Sequence, residues 1–437
     1  MAGRERIKKQ KPIKPDLPGG FRDYGPADAI ARQRMIDTIR RTFESFGFDP
    51  LETSSVQRTE VLTGGEEDSG RIIFNVMGSQ EKNSDTSLRF DLTVPLARFI
   101  AANPDLSKPF KRYQIGNVWR GERQQAGRWR EFTQADVDIV GSSSIDADAE
   151  IATIIYTVFK NLGIGNFVIN YNNRKMLDTL PAFAGFPKDK LWSALRIIDK
   201  KDKIGEDGIF KELIKVFTLT IANKVLEFLA QPFEMPSKTL LQGEGLREYA
   251  EIKNVIPDER FFQLNRYLVR GLSYYTGSVF EVTLTDAPEI GSVCGGGRYD
   301  DLVAKFTGQK IPAVGASIGV DRLFAAIEKL GALQKKQTLT QVLVLQLDVE
   351  LKNEYLSMVQ ELRNAGINTA FYLGGDQTLQ AQLAYAVKKE IPYVAIYGAQ
   401  EKKKGTVGIK DLAARRQQEI PRRELATFFK TAFPPVA

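Results

Sequence analysis

The chain of 437 residues contains no histidine and a single cysteine, Cys294. These two facts limit its folds before any pattern is read. An intramolecular disulfide is impossible, and a zinc site built from His and Cys lacks its ligands, so neither staple of small domains applies. The fold must be held by an apolar core, and a composition of 43% hydrophobic and 26% charged residues supplies one. The length predicts two to four domains. The same absence limits chemistry. Without an imidazole, Ser-His-Asp and Cys-His nucleophile systems are excluded. Carboxylates, Arg, Lys, Tyr, backbone N–H groups and a hard cation such as Mg2+ remain.

Lys plus Arg number 61 and Asp plus Glu 54, a net charge of +7. That excess permits a polyanionic partner without demonstrating one. No apolar run is long enough to span a membrane. Met1 to Pro15 carries Arg4, Arg6, Lys8, Lys9, Lys11 and Lys14 but no apolar stretch, so a secretory signal is not expected. This tail could contact nucleic acid, but a short basic tail is more often a solvated end.

Hydrophobic periodicity predicts a long helix from about Pro26 to Phe46, ended by Gly47, then a strand from Phe48 to Val56. Pro50 in that strand favours a sheet edge. Strand signals dominate Ile72 to Val140. A helix is expected over Ala147 to Leu162 and a strand over Phe167 to Tyr171. Pro187 to Leu229 reads as helical, with a polar break at Lys200 to Asp207. Strands return near Phe262, Val269, Ser278 to Leu284 and Gly291 to Cys294, followed by a helix over Ala316 to Leu330. Gly331 to Thr340 is a polar linker. Beyond it, Val342–Leu347, Leu351–Ala365, Ile367–Leu373, Leu379–Lys389 and Tyr393–Tyr397 alternate strand and helix. That alternation predicts an α/β domain with a largely parallel sheet.

Five segments concentrate polar chemistry. Arg120 to Val140 reads as strand, loop, strand. In the second strand Arg130, Phe132, Gln134, Asp136 and Asp138 share one face, while Thr133, Ala135, Val137 and Ile139 share the other. The first face suits a nucleotide and an amino-acid ammonium, or it is a solvated face with surface ion pairs. Asp91 and Thr93 share a face and can accept from an ammonium, or they form a cap. Arg270, followed by Ser273, Tyr274 and Tyr275, sets a cation beside aromatic hydroxyls. Cys294 to Asp300 contains three successive glycines, which allow close backbone approach to a ligand or a plain turn. Gly315 to Leu323 ends with Arg322 on a helix, placed for a phosphate or for tight packing.

Taken in order, these segments resemble the histidyl-tRNA synthetases, a family of class IIa aminoacyl-tRNA synthetases, from about Leu17 to the C-terminus. Pro26 to Val56 resembles the family's first motif, Arg120 to Val140 the second and Gly315 to Leu323 the third. Val269 to Thr276 and Gly295 to Asp300 are similar to two signatures peculiar to the histidyl enzymes. The resemblance implies an α+β catalytic domain, with an antiparallel sheet of six to seven strands and flanking helices, and a C-terminal α/β anticodon-binding domain. It implies a basic tail over 1–16, a catalytic domain over 17–335 with a helical insertion at 180–258, and an anticodon-binding domain over 336–437.

It also implies roles. Arg120 and Arg270 would be catalytic. Arg120, Glu122, Arg128, Phe132 and Arg322 would bind ATP, with Phe132 on the adenine and Arg128 and Arg322 on the outer phosphates. Asp91, Thr93, Gln134 and Asp138 would hold the α-amino group of L-histidine. Arg270, Tyr274, Tyr275 and Tyr299 would complete the histidine site, Tyr275 and Tyr299 lining an imidazole pocket. The implied reaction is ATP-dependent formation of histidyl-adenylate and transfer to the 3′ end of tRNA(His), with Mg2+, in a cytoplasmic homodimer. Carboxylate attack on a phosphate needs no general base, so a histidine-free chain can perform it. Three positions depart from the usual pattern: Ser273 stands for Asp, Thr133 for His or Tyr, and Asp138 for a longer Glu. Lys402, Lys403, Lys404, Lys410, Arg415 and Arg416 are candidate RNA contacts or a solvated loop. The alternative to a ligase is a regulatory paralogue acting on ATP phosphoribosyltransferase in histidine biosynthesis. Such paralogues usually lack the anticodon domain and the signature Arg, both of which are expected here.

Overall fold

The computed structural model describes residues 13–64, 73–79, 84–122, 129–231, 243–270 and 275–434. The chain divides into two compact units. One comprises the residues up to Asp23 with Met35–Leu333, the other Tyr24–Arg34 with Gln334 onward. The strands in chain order are β1 (Asp49–Pro50), β2 (Val56–Arg58), β3 (Phe74–Val76), β4 (Thr86–Leu88), β5 (Phe110–Trp119), β6 (Glu131–Val140), β7 (Phe167–Asn173) and β8 (Phe262–Leu264). They continue as β9 (Ser278–Leu284), β10 (Ser292–Arg298), β11 (Ala313–Gly319), β12 (Val342–Val344), β13 (Thr369–Phe371), β14 (Tyr393–Ile396), β15 (Thr406–Asp411) and β16 (Arg416–Pro421).

The first unit is built on an eight-stranded sheet of order β1-β5-β6-β11-β10-β9-β7-β8. Its inner pairings are antiparallel. Both edges are joined in parallel, β1 to β5 and β7 to β8. The expected antiparallel sheet of six to seven strands is therefore corrected at its margins. The edge strands span two and three residues, too short for a period-two pattern to reveal them. Pro50 does lie on an edge, where its missing N–H costs no ladder bond.

One face of this sheet is covered by the helix Ile145–Asn161. Ile151, Ala152, Ile154, Val158 and Phe159 on that helix are fully buried. Ser144 caps its N-terminus, its Oγ accepting from Asp146 N at 3.2 Å. The expected helical stretch after Pro187 forms helices at Leu191–Ile198, Lys201–Val216 and Leu219–Ala230. They share a core of Leu195, Ile198, Ile209, Leu213, Val225 and Phe228. Gly205, at φ 66° and ψ 179°, interrupts the middle helix inside the anticipated polar break.

The expected strand Phe48–Val56 is reduced to β1 and the start of β2, and two longer segments are corrected as well. Ile72 to Val140 is not continuous strand, because Thr93–Ala102 is a helix whose Val94, Leu96, Ala97 and Ile100 are buried. Ala316 to Leu330 is not one helix: β11 runs to Gly319 and the helix Val320–Lys329 follows. Small residues in that strand hid its alternation.

The second unit holds a five-stranded sheet of order β13-β12-β14-β15-β16. β12 is parallel to both neighbours, while β14–β15 and β15–β16 are antiparallel. The sheet is mixed rather than largely parallel, because a C-terminal hairpin completes it. Helices Lys352–Asn364, Leu379–Lys388 and Leu425–Ala432 flank it.

Candidate active site

Residues directly opposite one another across an antiparallel ladder share a face. The register of the large sheet therefore arranges side chains in rows. One row reads Arg112, Asp138, Gly315, Gly297 and Val279 across β5, β6, β11, β10 and β9. The next reads Gln114, Asp136, Ser317, Gly295 and Glu281, and the third includes Gly116, Gln134 and Gly319. Val118 and Phe132 follow. The opposite face carries Ala135, Val137, Ile139, Val314 and Ile318, all buried. The alternation expected in β6 is thus present. Its polar face is not solvated: Gln134, Asp136 and Asp138 are 9%, 2% and 3% exposed.

The glycines of these rows make room for specific side chains. A Cβ on Gly315 would strike the Asp138 carboxylate, and one on Gly297 would come within 2.7 Å of the Tyr275 ring. A Cβ on Gly116 would lie 2.7 Å from Arg89 Nη2. The three successive glycines are therefore part of a central strand, not a turn. Arg298, which ends that strand, clamps the fold. It pairs with buried Asp148 and donates to Ser142 O at 2.9 Å and Ser144 O at 3.1 Å.

Burial without matching charge sets the electrostatics. Arg112 is fully buried, and its Nη2 lies 2.8 Å from Asp138 Oδ2. Tyr299 donates its hydroxyl to Asp138 Oδ1. Burial pushes the Asp138 carboxyl up, against the opposing pull of Arg112. Burial raises Asp136 to about 7, helped by Asp138 and opposed by Arg112. Asp91 rises to about 6, again mainly by burial. The Tyr275 hydroxyl and the Cys294 thiol are pushed up by burial, so Cys294 offers no thiolate.

Asp91 and Thr93 do not share a strand face. Asp91 sits at the entry to the helix Thr93–Ala102, and its Oδ1 accepts from Val94 N at 3.1 Å. Arg120 donates from Nε to Phe90 O at 3.0 Å, and its guanidinium stands 5.1 Å from the Phe132 ring centre. Arg270 reaches over Gly295, its Nη2 2.6 Å from Glu281 Oε1. Burial raises the Glu281 carboxyl, while Arg270 favours its charged form. Arg322 opens the helix Val320–Lys329 and donates to Ser292 O at 2.6 Å. Its neighbour Asp321 braces the sheet, accepting from Thr133 N at 2.6 Å and from Arg22 at 3.2 Å. Glu122 is exposed at the mouth of its loop. Arg128, Ser273 and Tyr274 lie outside the described residues.

The structure thus gathers Asp91, Arg120, Phe132, Gln134, Asp138, Arg270, Tyr275 and Tyr299 around this face. Sequence reasoning gave no role to Arg112, Ser317 or Glu281, and none to Asp136 beyond its place on the face. The signal for Arg112 was available, since Arg112, Gln114 and Gly116 alternate in phase with the polar face of β6. Ser317 and Glu281 required the register. The ensemble offers cations, an aromatic plane and carboxylates around a glycine floor, suited to charge stabilisation between an acid and a phosphate.

The family described as histidyl-tRNA synthetase matches residues 20–323, and the anticodon binding domain family matches residues 341–432. A histidine–tRNA ligase from Wolinella succinogenes is 42% identical over 93% of this chain and 96% of its own length. The crystal structure of a histidyl-tRNA synthetase from Nostoc sp. aligns with a TM-score of 0.86 at 34% identity, covering 97% of this chain and 100% of that one. A structure described as an ATP phosphoribosyltransferase regulatory subunit/histidyl-tRNA synthetase from Bacillus halodurans aligns at a TM-score of 0.71 and 22% identity. It covers 86% of this chain and 97% of its own, and shares the fold.

Proposed function

This chain belongs to the histidyl-tRNA synthetase family, and from that premise we propose how its residues perform the family's reaction. The protein is an aminoacyl-tRNA synthetase that uses ATP to activate L-histidine to histidyl-adenylate and transfers the histidyl group to tRNA(His). The regulatory alternative is disfavoured. The ligase relatives match at higher identity, and the anticodon domain and Arg270 are both present.

The observation that supports the residue assignments is the polar face of the sheet, where Gln134 and Glu281 stand among the glycine rows, Arg270 pairs with Glu281 and Arg120 lies against the Phe132 ring. Asp91, Thr93, Gln134 and Asp138 hold the substrate α-amino group. Tyr275 and Tyr299 line the imidazole pocket, and Tyr274 is assigned to the same histidine site. The histidine carboxylate attacks the α-phosphorus of ATP, an O–P bond forms, and pyrophosphate leaves. Arg120 and Arg270 neutralise charge on the α-phosphate as it develops. Phe132 offers its ring to adenine, with Glu122 at the amino edge, and Arg128 and Arg322 hold the outer phosphates.

Magnesium would enter on the phosphates of ATP and supply Lewis-acid charge neutralisation there. The described residues include no cluster of three or more carboxylates that could hold the ion from the protein side, so its ligands would be the phosphates themselves. The exposed edge strand β1 and the helix before it support a homodimer contact there. No helix among the described residues is long and apolar enough to cross a membrane. The specificity assignment is tested by ATP–pyrophosphate exchange with each amino acid in turn. Exchange should require histidine, and equal exchange with another amino acid would overturn it.

A further inference from the structure

We propose that Arg22, which precedes all three motif segments in the chain, is a positioning residue for ATP. Through Asp321 it sets the helical turn that carries Arg322 toward the outer phosphates. The proposal rests on the reading of Arg322 as a phosphate ligand.

The segment around Arg22 is joined to the stem of the loop between β5 and β6. Gly20 O accepts from Arg130 N at 2.8 Å, while Arg130 O accepts from Arg120 N at 2.8 Å. Gly20 has a φ of 89°, and a Cβ there would come within 2.8 Å of the Arg130 side chain. Glycine permits both the backbone conformation and the close approach. Phe21 sets its ring edge-on to Phe74, with 6.1 Å between centres. These contacts deliver the Arg22 guanidinium to the face of Trp129, 4.7 Å from the ring centre, and to Asp321 Oδ1 at 3.2 Å.

Asp321 ties two further elements together. Its Oδ2 accepts from Thr133 N at 2.6 Å. The ladder between β6 and β11 ends at the pair Gln134 and Gly319. Thr133 is the next residue of β6, so the Asp321 carboxylate accepts where the neighbouring strand has run out. Asp321 lies in the first turn of the helix Val320–Lys329, and Arg322 follows it. The Arg322 side chain is tied to β10 through Ser292 O. Its backbone is held by the turn that Asp321 fixes.

The arrangement favours an effect on Arg322 over one on Phe132. The Asp321 side chain is 7% exposed, against 24% for Arg22. Without Arg22, a nearly buried carboxylate loses a cation that balances it, which is unfavourable unless the carboxylate turns toward water. That rotation moves the first helical turn, and Arg322 with it. Phe132 is supported independently, paired with Val118 in the ladder between β5 and β6. The adenine contact should therefore survive the loss of Arg22, while the outer-phosphate contact loosens.

The test uses the full chain in histidine-dependent ATP–pyrophosphate exchange, with AMP as an inhibitor competing with ATP. AMP carries the adenine and the α-phosphate but no outer phosphates. Arg22→Ala should raise KM for ATP about tenfold, the order expected of a displaced substrate ligand. KM for histidine and the inhibition constant of AMP should each change less than about twofold. Arg22→Lys keeps the charge but not the planar fork, and should raise KM for ATP about threefold with the same selectivity. An unchanged KM for ATP in folded Arg22→Ala would overturn the proposal. So would equal losses for ATP, AMP and histidine, the pattern of a merely structural brace. If Arg22→Ala does not fold, Arg22→Lys decides: an ATP-selective rise supports the proposal, and an unselective or absent one overturns it. Arg322→Ala tests the underlying reading. If that variant leaves KM for ATP unchanged, Arg322 is not a phosphate ligand and the proposal falls with that assignment.

Discussion

The two large sheets of this protein bury different things. In the five-stranded sheet, Val342, Leu343, Val344, Val394 and Ala395 are all fully buried, and apolar clusters lie on both faces. In the eight-stranded sheet, one face is apolar and the other encloses Arg112, Gln114, Asp136 and Asp138 over a floor of glycines. Buried charge is unfavourable unless paired, and glycine weakens a strand. The larger sheet accepts both costs on one face only. That face is shaped for a ligand that brings its own charge and volume, whereas the smaller sheet is organised for stability and presents its polar groups outward.

If that contrast is right, removing the buried cation should be the most damaging change. Arg112→Leu leaves Asp136 and Asp138 without their principal opposite charge and should cost about 3–5 kcal/mol of stability. Urea unfolding of the first unit would measure it. A loss below about 1 kcal/mol would mean that the face is not electrostatically strained.

In the smaller sheet the largest loss should come from volume. Leu343→Ala removes a fully buried side chain and should cost about 2–4 kcal/mol. Histidine-dependent pyrophosphate exchange should persist at temperatures where the second unit has unfolded, because every residue assigned to activation lies in the first. Unfolding and exchange, followed on the same preparation, separate the two effects.

The pH response sharpens the comparison further. Asp136 titrates near 7 in the folded protein, Asp91 near 6, and both near the ordinary 3.8 when unfolded. Between those values the folded state binds more protons than the unfolded state, so stability falls as pH rises from about 4 to about 7. Each group contributes at most about 1.4 kcal/mol per pH unit. The groups facing Asp136 are Arg112, Asp138, Ser317, Asp91, Arg89, Tyr275 and Cys294. Urea midpoints across this range should show the slope in the wild type and a shallower one in Asp136→Asn. Parallel slopes would remove Asp136 as the source.

The smallest effect is expected at the surface of the second unit. Lys402 and Lys404 already pair with Glu354 and Glu419. Arg415 and Arg416, at the β15–β16 turn, are better placed to meet RNA phosphates. Arg415→Ala with Arg416→Ala should raise KM for tRNA by roughly three- to tenfold, with reduced salt dependence and unchanged pyrophosphate exchange. No change in tRNA KM would assign them to solvent.

What was legible in the sequence follows from where information is local. The alternation in β6 placed Phe132, Gln134, Asp136 and Asp138 on one face, and β6 has that alternation. The helix Ile145–Asn161 and the kink at Gly205 were likewise written in apolar spacing and a polar break. β11 was not legible, because Gly315, Ala316, Ser317 and Gly319 lack the bulk that marks a strand. The helix Thr93–Ala102 was hidden because Pro95 sits in its first turn and its residues are almost uniformly apolar. The pairing of Arg112 with Asp138, and of Arg270 with Glu281, depends on register between distant strands, which no single segment encodes.

We propose that this polar sheet face activates histidine through charge stabilisation by Arg270. The most direct measurement is histidine-dependent ATP–pyrophosphate exchange by the wild type beside Arg270→Ala, with folding of both verified by circular dichroism. Exchange is expected in the wild type, with a fall in kcat of about 10²–10³ in the variant, the scale of removing one oriented donor from developing charge. An unchanged kcat in a folded Arg270→Ala protein would contradict it.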